Sequence, residues 1–120
     1  MRLTHREQIF ANRLHRLTGI GLFLFLVLHA VHIGLMAGGP EVFDAVTAPL
    51  RHPVARLLHL LLFFCVLAHA INGIRLIALD FAPPLRRFER PLLYAAALLL
   101  ALAFIPSGLL ILMDAFLPAL

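Results

Sequence analysis

The chain has 120 residues, 62% of them hydrophobic, with a mean hydropathy of +1.00. A soluble domain is nearer half apolar, so this composition points to lipid as the solvent and excludes an ordinary water-soluble fold. The formal charge of +4 comes from ten arginines against six acidic residues; arginine at lipid headgroups explains it without a nucleic-acid partner.

MRLTHREQIFANR opens the chain with no early apolar core, so it does not read as a secretory signal. Ile9, Phe10 and Leu14 suggest a short, partly amphipathic interfacial helix instead. The first long apolar run spans about 17–37. Gly38–Gly39–Pro40 ends it, and the following EVFDAV is expected to form a short surface helix with Pro40 in its first turn. A second run spans about 54–79 and a third about 91–113, joined by the proline- and arginine-rich turn APPLRRFERP. Pro106 and Gly108 predict a kink in the third run, which membrane helices tolerate. Each run exceeds the roughly 20 residues that cross about 30 Å of hydrocarbon as a helix. The expectation is an all-α membrane protein, one domain over 1–120, with three transmembrane helices.

Arginine placement predicts the orientation. Arg2, Arg6, Arg13 and Arg16 precede the first run, and Arg75, Arg86, Arg87 and Arg90 flank the second connection. Only Arg51 and Arg56 lie near the first connection, beside Glu41 and Asp44. This predicts a cytoplasmic N-terminus and an outside C-terminus. The opening segment resembles neither a secretory signal nor a long organellar presequence, so a bacterial cytoplasmic (inner) membrane is the simplest expected location. None of the three runs carries a pore-lining polar stripe, which suits a component packed against other helices. The single cysteine, Cys65, rules out a disulfide within the chain and reads as a small packing residue.

Seven histidines are many for this length, and His29, His32, His59 and His69 fall in or near the apolar runs. A buried neutral imidazole can ligate haem iron; it can equally make an interhelical hydrogen bond. His69 lies roughly 16 Å from Asp80 along a helix, and His29 roughly 18 Å from Leu17, which predicts similar depths for the two. His59 falls roughly 30 Å from Leu79, near the opposite interface, where a histidine needs no ligand. Gly73, one turn after His69, would leave room for a flat porphyrin, and Asn72 would serve polar edges. Arg75 could reach a propionate; it could also snorkel to the interface or pair with Asp80. NRLHRLTG, residues 12–19, gathers polar groups where apolar wall meets water. It suits a quinone carbonyl, a haem propionate or a lipid phosphate, or serves only as a positive-inside anchor.

LHRLTG at the start of the first run, with HAINGIRLIALD at the end of the second, resembles the cytochrome b membrane anchor of succinate dehydrogenase (complex II). The family pattern is S-x-x-H-R-x-[ST]-G, then H-x-x-x-G-[I/V]-R and an Asp five residues on; the likeness covers nearly the whole chain. It implies that His69 is an axial haem b ligand, that Arg16 lines a quinone site, and that His15 lies near haem propionates or quinone. Asn12 stands where many members have the serine of the quinone site, and Leu76 where several have a second histidine after Arg75. His29 and the GGPEVF loop resemble the two-haem subtype. There His69 would serve the haem nearer the cytoplasm and His29 the distal one, each iron taking its other ligand from a partner helix.

The resemblance further implies a helical bundle with a second, sister anchor subunit, docking to flavoprotein and iron–sulfur subunits, and a quinone (menaquinone or ubiquinone) as electron acceptor. The chain itself would be a non-catalytic electron-transfer and anchor subunit. Two alternatives remain open at this point: a fumarate reductase anchor running in reverse, and a haem-free scaffold.

Overall fold

The computed structural model describes residues 2–117. These form α1 (His5–Met36), α2 (Pro40–Thr47), α3 (Pro53–Phe81) and α4 (Glu89–Phe116), with 3-10 turns at Ala48–Arg51 and Pro83–Phe88. The helices α1 and α3, and the segment Pro83–Phe116 that contains α4, are long and apolar enough to cross a membrane. Helix α3 lies in the middle, with α1 and α4 packed along it, in a slab 56 × 32 × 21 Å.

The expected interfacial lead-in is instead the first turns of α1. A reciprocal cap starts it: Thr4 N–H donates to Glu7 Oε2 at 2.8 Å, and Glu7 N–H donates to Thr4 Oγ1 at 3.3 Å. Glu7 Oε1 also accepts from Arg90 Nε and Nη2 at 3.0 and 2.9 Å and from the Tyr94 hydroxyl at 3.1 Å. This cluster ties the start of α1 to the start of α4, so the N-terminal arginines and those of the α3–α4 turn share one end of the slab. The surface helix after the first run is present. Gly39, at φ 107°, takes the left-handed conformation that precedes Pro40. Helix α4 continues as one helix through Pro106, and Ser107 Oγ donates to Ala103 O at 2.8 Å.

Small residues set the two seams. A Cβ on Gly21 would stand 2.6 Å from Cys65 Sγ, and one on Gly19 would stand 3.0 Å from His69 Cε1. These contacts fix the antiparallel register of α1 and α3 and make Cys65 the packing residue expected of it. Along α3–α4, Gly108 faces Leu60, Phe64 meets Phe104 edge-on at 5.2 Å, and Arg56 pairs with Asp114 at the end away from Glu7. Little else is enclosed: among the described residues, the buried side chains are Ala11, Ala68, Leu79, Thr18 and Arg75. Phe23, Leu24, Ile74, Ile77, Leu98 and Leu102 are exposed. So much uncovered apolar surface on helices of this length is suited to lipid and to further helices, not water.

Candidate functional site

The register of α1 and α3 brings four of the polar residues singled out above into one cluster near the arginine-rich end. His69 Nδ1 lies 3.2 Å from the His15 carbonyl oxygen. A carbonyl only accepts, so Nδ1 carries the proton and Nε2 holds the lone pair. That Nε2 has no hydrogen-bond partner among the described residues and is not sealed inside the chain. The His69 and His15 rings stack at 4.2 Å with 13° between their planes. Thr18, buried on the same stripe of α1, donates to Leu14 O and His15 O at 2.8 and 3.0 Å, so its hydroxyl is satisfied locally.

Behind these rings the polar chain continues along α3. Asn72 Nδ2 lies 3.1 Å from His15 Nδ1, and Arg75 Nε donates to Asn72 Oδ1 at 2.8 Å. Arg75 is 7% exposed, so of the alternatives open to it, neither snorkelling nor pairing with Asp80 is taken; Asp80 pairs with Arg86 at 3.5 Å. Among the described residues Nε makes its hydrogen bond to Asn72 and Glu89 lies near enough to attract the guanidinium, while the Nη groups keep hydrogen-bonding capacity for an oxyanion. The glycine that crowds His69 is Gly19 of α1, whereas Gly73 faces His15, whose Cε1 would be 3.8 Å from a Cβ there. The close approach to His69 thus runs across the helix pair, while a Cβ at Gly73 would meet only ordinary contact with His15.

A cleft of about 360 Å³ opens between α1 and α4 with α3 as its floor. Its wall is apolar, from Ala11, Leu14, Ala68 and Leu100, while His15 and Asn72 reach it from the polar cluster. Glu7 and Tyr94 stand at its end. Neither this cleft nor the Glu7–Arg90–Tyr94 cluster is among the expectations drawn from sequence, although Thr4-x-x-Glu7 carries the capping signature.

Asn12 and Arg16 stand elsewhere. One turn apart on α1, they are both exposed and line no part of that cleft. Helical spacing turns Arg16 roughly 100° from its neighbour His15. His29 is also exposed, and its ring stacks on Phe25 at 5.2 Å. Ten residues separate it from Gly19, the contact partner of His69, which is about 15 Å along the helix. The equal depths expected for His29 and His69 are therefore corrected. A count that starts from Leu17 overlooks that the end of α3 lies beside the first turns of α1, before the apolar run begins. Extending the same register puts His29 opposite the turn of α3 that carries His59, which is exposed too.

Residues 5–110 match the family of succinate dehydrogenase/fumarate reductase transmembrane subunits. The chain belongs to that family. It is also 32% identical over 97 residues to succinate dehydrogenase 2 membrane subunit SdhC of Mycobacterium tuberculosis, covering 81% of this chain and 71% of that protein. The fold agrees with membership: three apolar helices and few buried side chains make a transmembrane subunit. Among the described residues, no group of three or more His, Cys, Asp or Glu could hold a bare metal ion. A haem, whose porphyrin supplies most of the iron's ligands, would need only an imidazole nitrogen from this chain. The His69 imidazole fits that requirement, with its outer nitrogen available and its inner one tied to a carbonyl.

Proposed function

We propose that this family member is the haem b-binding membrane anchor of a succinate:quinone oxidoreductase. In this reading it docks flavoprotein and iron–sulfur subunits, pairs with a second membrane-anchor subunit, and helps form the site where quinone (menaquinone or ubiquinone) receives electrons drawn from succinate. The observation that carries it is the His69 ring: Nδ1 committed to the His15 carbonyl, Nε2 left unpaired at membrane depth. The relative's printed name supports succinate oxidation as the direction, and the family includes fumarate reductase subunits as well. The arginine-rich end would face the cytoplasm of a bacterial inner membrane, as the positive-inside rule requires.

Haem at His69 would supply a one-electron carrier buried in low dielectric. The chain's own residues do the rest. The His15 carbonyl holds the His69 ring in one tautomer and one orientation, and the Gly19 backbone lets α1 approach closely enough for that bond. The free Nη groups of Arg75 offer a bidentate donor to a propionate. Arg16, with Asn12 one turn before it, directs a fixed positive charge and an amide toward a quinone carbonyl, where negative charge grows on reduction. His29 would hold a second haem through its imidazole. Its support is its exposure and its distance of about 15 Å along α1 from the His69 level, too far for both histidines to hold one haem.

The deciding test is a dithionite-reduced minus oxidised visible spectrum of the purified complex. We expect wild type to show b-type bands and His69→Ala and His29→Ala each to lose a different component. Loss of one band set with His69→Ala and no change with His29→Ala would reduce the assignment to a single haem. No band in wild type, with haem supplied during expression, would leave a haem-free anchor.

A further inference from the structure

Asn72 occupies a position that the family motif leaves open, between the histidine and the glycine of H-x-x-x-G, and its amide sits between Arg75 and the His15 ring, whose nitrogens can each donate or accept. Arginine can only donate. With Arg75 Nε 2.8 Å from Oδ1, the Asn72 amide must present its oxygen to Arg75 and therefore its NH2 to His15. The NH2 is 3.1 Å from His15 Nδ1, so that ring nitrogen must be the acceptor and the His15 proton must sit on Nε2. The burial of Arg75 makes the arrangement stiff, since its Nε has no other partner among the described residues. The stack on His69 then fixes the plane of the His15 ring.

We propose that Asn72 is a positioning residue that, clamped by Arg75, sets the tautomer of His15 and makes its Nε2–H a fixed donor to an oxygen of the bound ligand. The ligand class is a carbonyl or carboxylate oxygen, such as that of a quinone or a propionate, and Asn72 acts on it through His15. This deepens the proposed function and rests on it for the identity of the ligand. The tautomer itself is a property of this chain's side chains alone.

The variant that separates the two is Asn72→Asp. It is nearly isosteric, and its carboxylate accepts from Arg75 Nε and from His15 alike. The proton of His15 should therefore move to Nδ1, turning Nε2 from donor into acceptor. The purified complex, labelled with 15N-histidine, reports this by solid-state NMR, with the His15 signals assigned by their absence in His15→Ala.

We expect an Nε2–H tautomer in wild type and Nδ1–H in Asn72→Asp. The KM for quinone should rise about tenfold, the scale of one exchanged hydrogen bond, by more than kcat falls. An Nδ1–H tautomer in wild type, or one unmoved by Asn72→Asp, overturns the lock. A tautomer that flips with KM and haem potential both unchanged overturns the donor role of His15. If Asn72→Asp does not assemble, Asn72→Leu serves: with no donor facing Nδ1, both tautomers should appear, and a single Nε2–H species overturns the lock. Failure of the functional reading shows separately, as a wild-type complex with no haem band and no quinone reduction.

Discussion

The two ends of the α1–α3 pair carry histidines in opposite circumstances. Near the arginine-rich end, His15 and His69 are stacked, hydrogen-bonded and backed by Asn72 and a buried Arg75. Toward the other end, His29 and His59 are exposed, and the described residues offer His29 no more than the face of Phe25. A hydrogen bond to one imidazole nitrogen orients the ring and raises the basicity of the other, so under the proposed function the first site would be prepared by this chain. At the second, the described residues give the imidazole no hydrogen bond, so in the proposed assembly its orientation would fall to another subunit. Small residues account for the difference: Gly19 and Gly21 draw the helices together at one level, whereas Gly34 meets nothing within 4 Å at the other.

The largest effect expected from this contrast is on the retention of haem. His69→Ala should abolish binding at the prepared site, whether or not the sister anchor is present. His29→Ala should lose the distal haem only. When the complex is partly stripped of the sister subunit by detergent, the distal haem should leave first, read as stepwise loss of band intensity. Simultaneous loss of both would show that the two sites depend equally on the partner and would remove the asymmetry.

Next in size is Arg16. It belongs to the prepared end yet points away from the cluster, and so it should matter for quinone and not for haem. Arg16→Ala is expected to lower quinone reduction about a hundredfold, the usual cost of removing one donor to a developing oxyanion, with the visible spectrum intact. Loss of haem in that variant would place Arg16 with the propionates instead.

Much of this organisation is legible in the sequence, and what is not legible has a common cause. Apolar run length marks three membrane helices, and Gly39–Pro40 marks the break before α2, because lipid and backbone impose those constraints residue by residue. His69, His15 and Arg75 stand out because polar groups at membrane depth need partners. Which partners they take depends on register between helices, and register is set by Gly19 against His69 and Gly21 against Cys65. No pattern within a single helix encodes that pairing. Hence single-helix spacing misplaces the levels of His29 and His69, misses the close approach of Gly19 to His69, and leaves Asp80 among the alternatives for Arg75. Asn12, Arg16 and His29 remain surface residues of this chain, and under the proposed function the groups that complete their sites would lie on other subunits.

The register itself can be tested by overpacking. Gly21→Val places a branched side chain where even a Cβ would be 2.6 Å from Cys65 Sγ. It should destabilise the complex by about 1–3 kcal/mol, visible as a lower thermal midpoint and weaker His69 haem retention. Gly34→Val, in open space, should change the midpoint little. An equal loss at Gly34 would show that the sister anchor packs there, and would place part of the interface on the far half of α1.

The smallest effect concerns the cluster that joins α1 to α4 ahead of the apolar run. Glu7 accepts the Thr4 backbone N–H and then the Arg90 guanidinium, and these hold its carboxyl at a pKa of about 2, down from the ordinary 4.5. A carboxylate whose pKa is depressed by folding adds stability above its unfolded value, and that contribution is lost as pH falls through the folded value. The contribution of Glu7 is thus complete above about pH 4.5 and disappears toward pH 2. Glu7→Gln keeps the side-chain shape and the ability to accept, but removes the charge that Arg90 pairs with. The thermal midpoint of wild type should exceed that of Glu7→Gln by a small, constant margin from about pH 8 to 5, and the margin should shrink as pH is lowered below about 4.5. A margin independent of pH down to about 3 would mean that Glu7 acts through hydrogen bonding alone, and that the start of α4 is held to α1 by shape and not by charge.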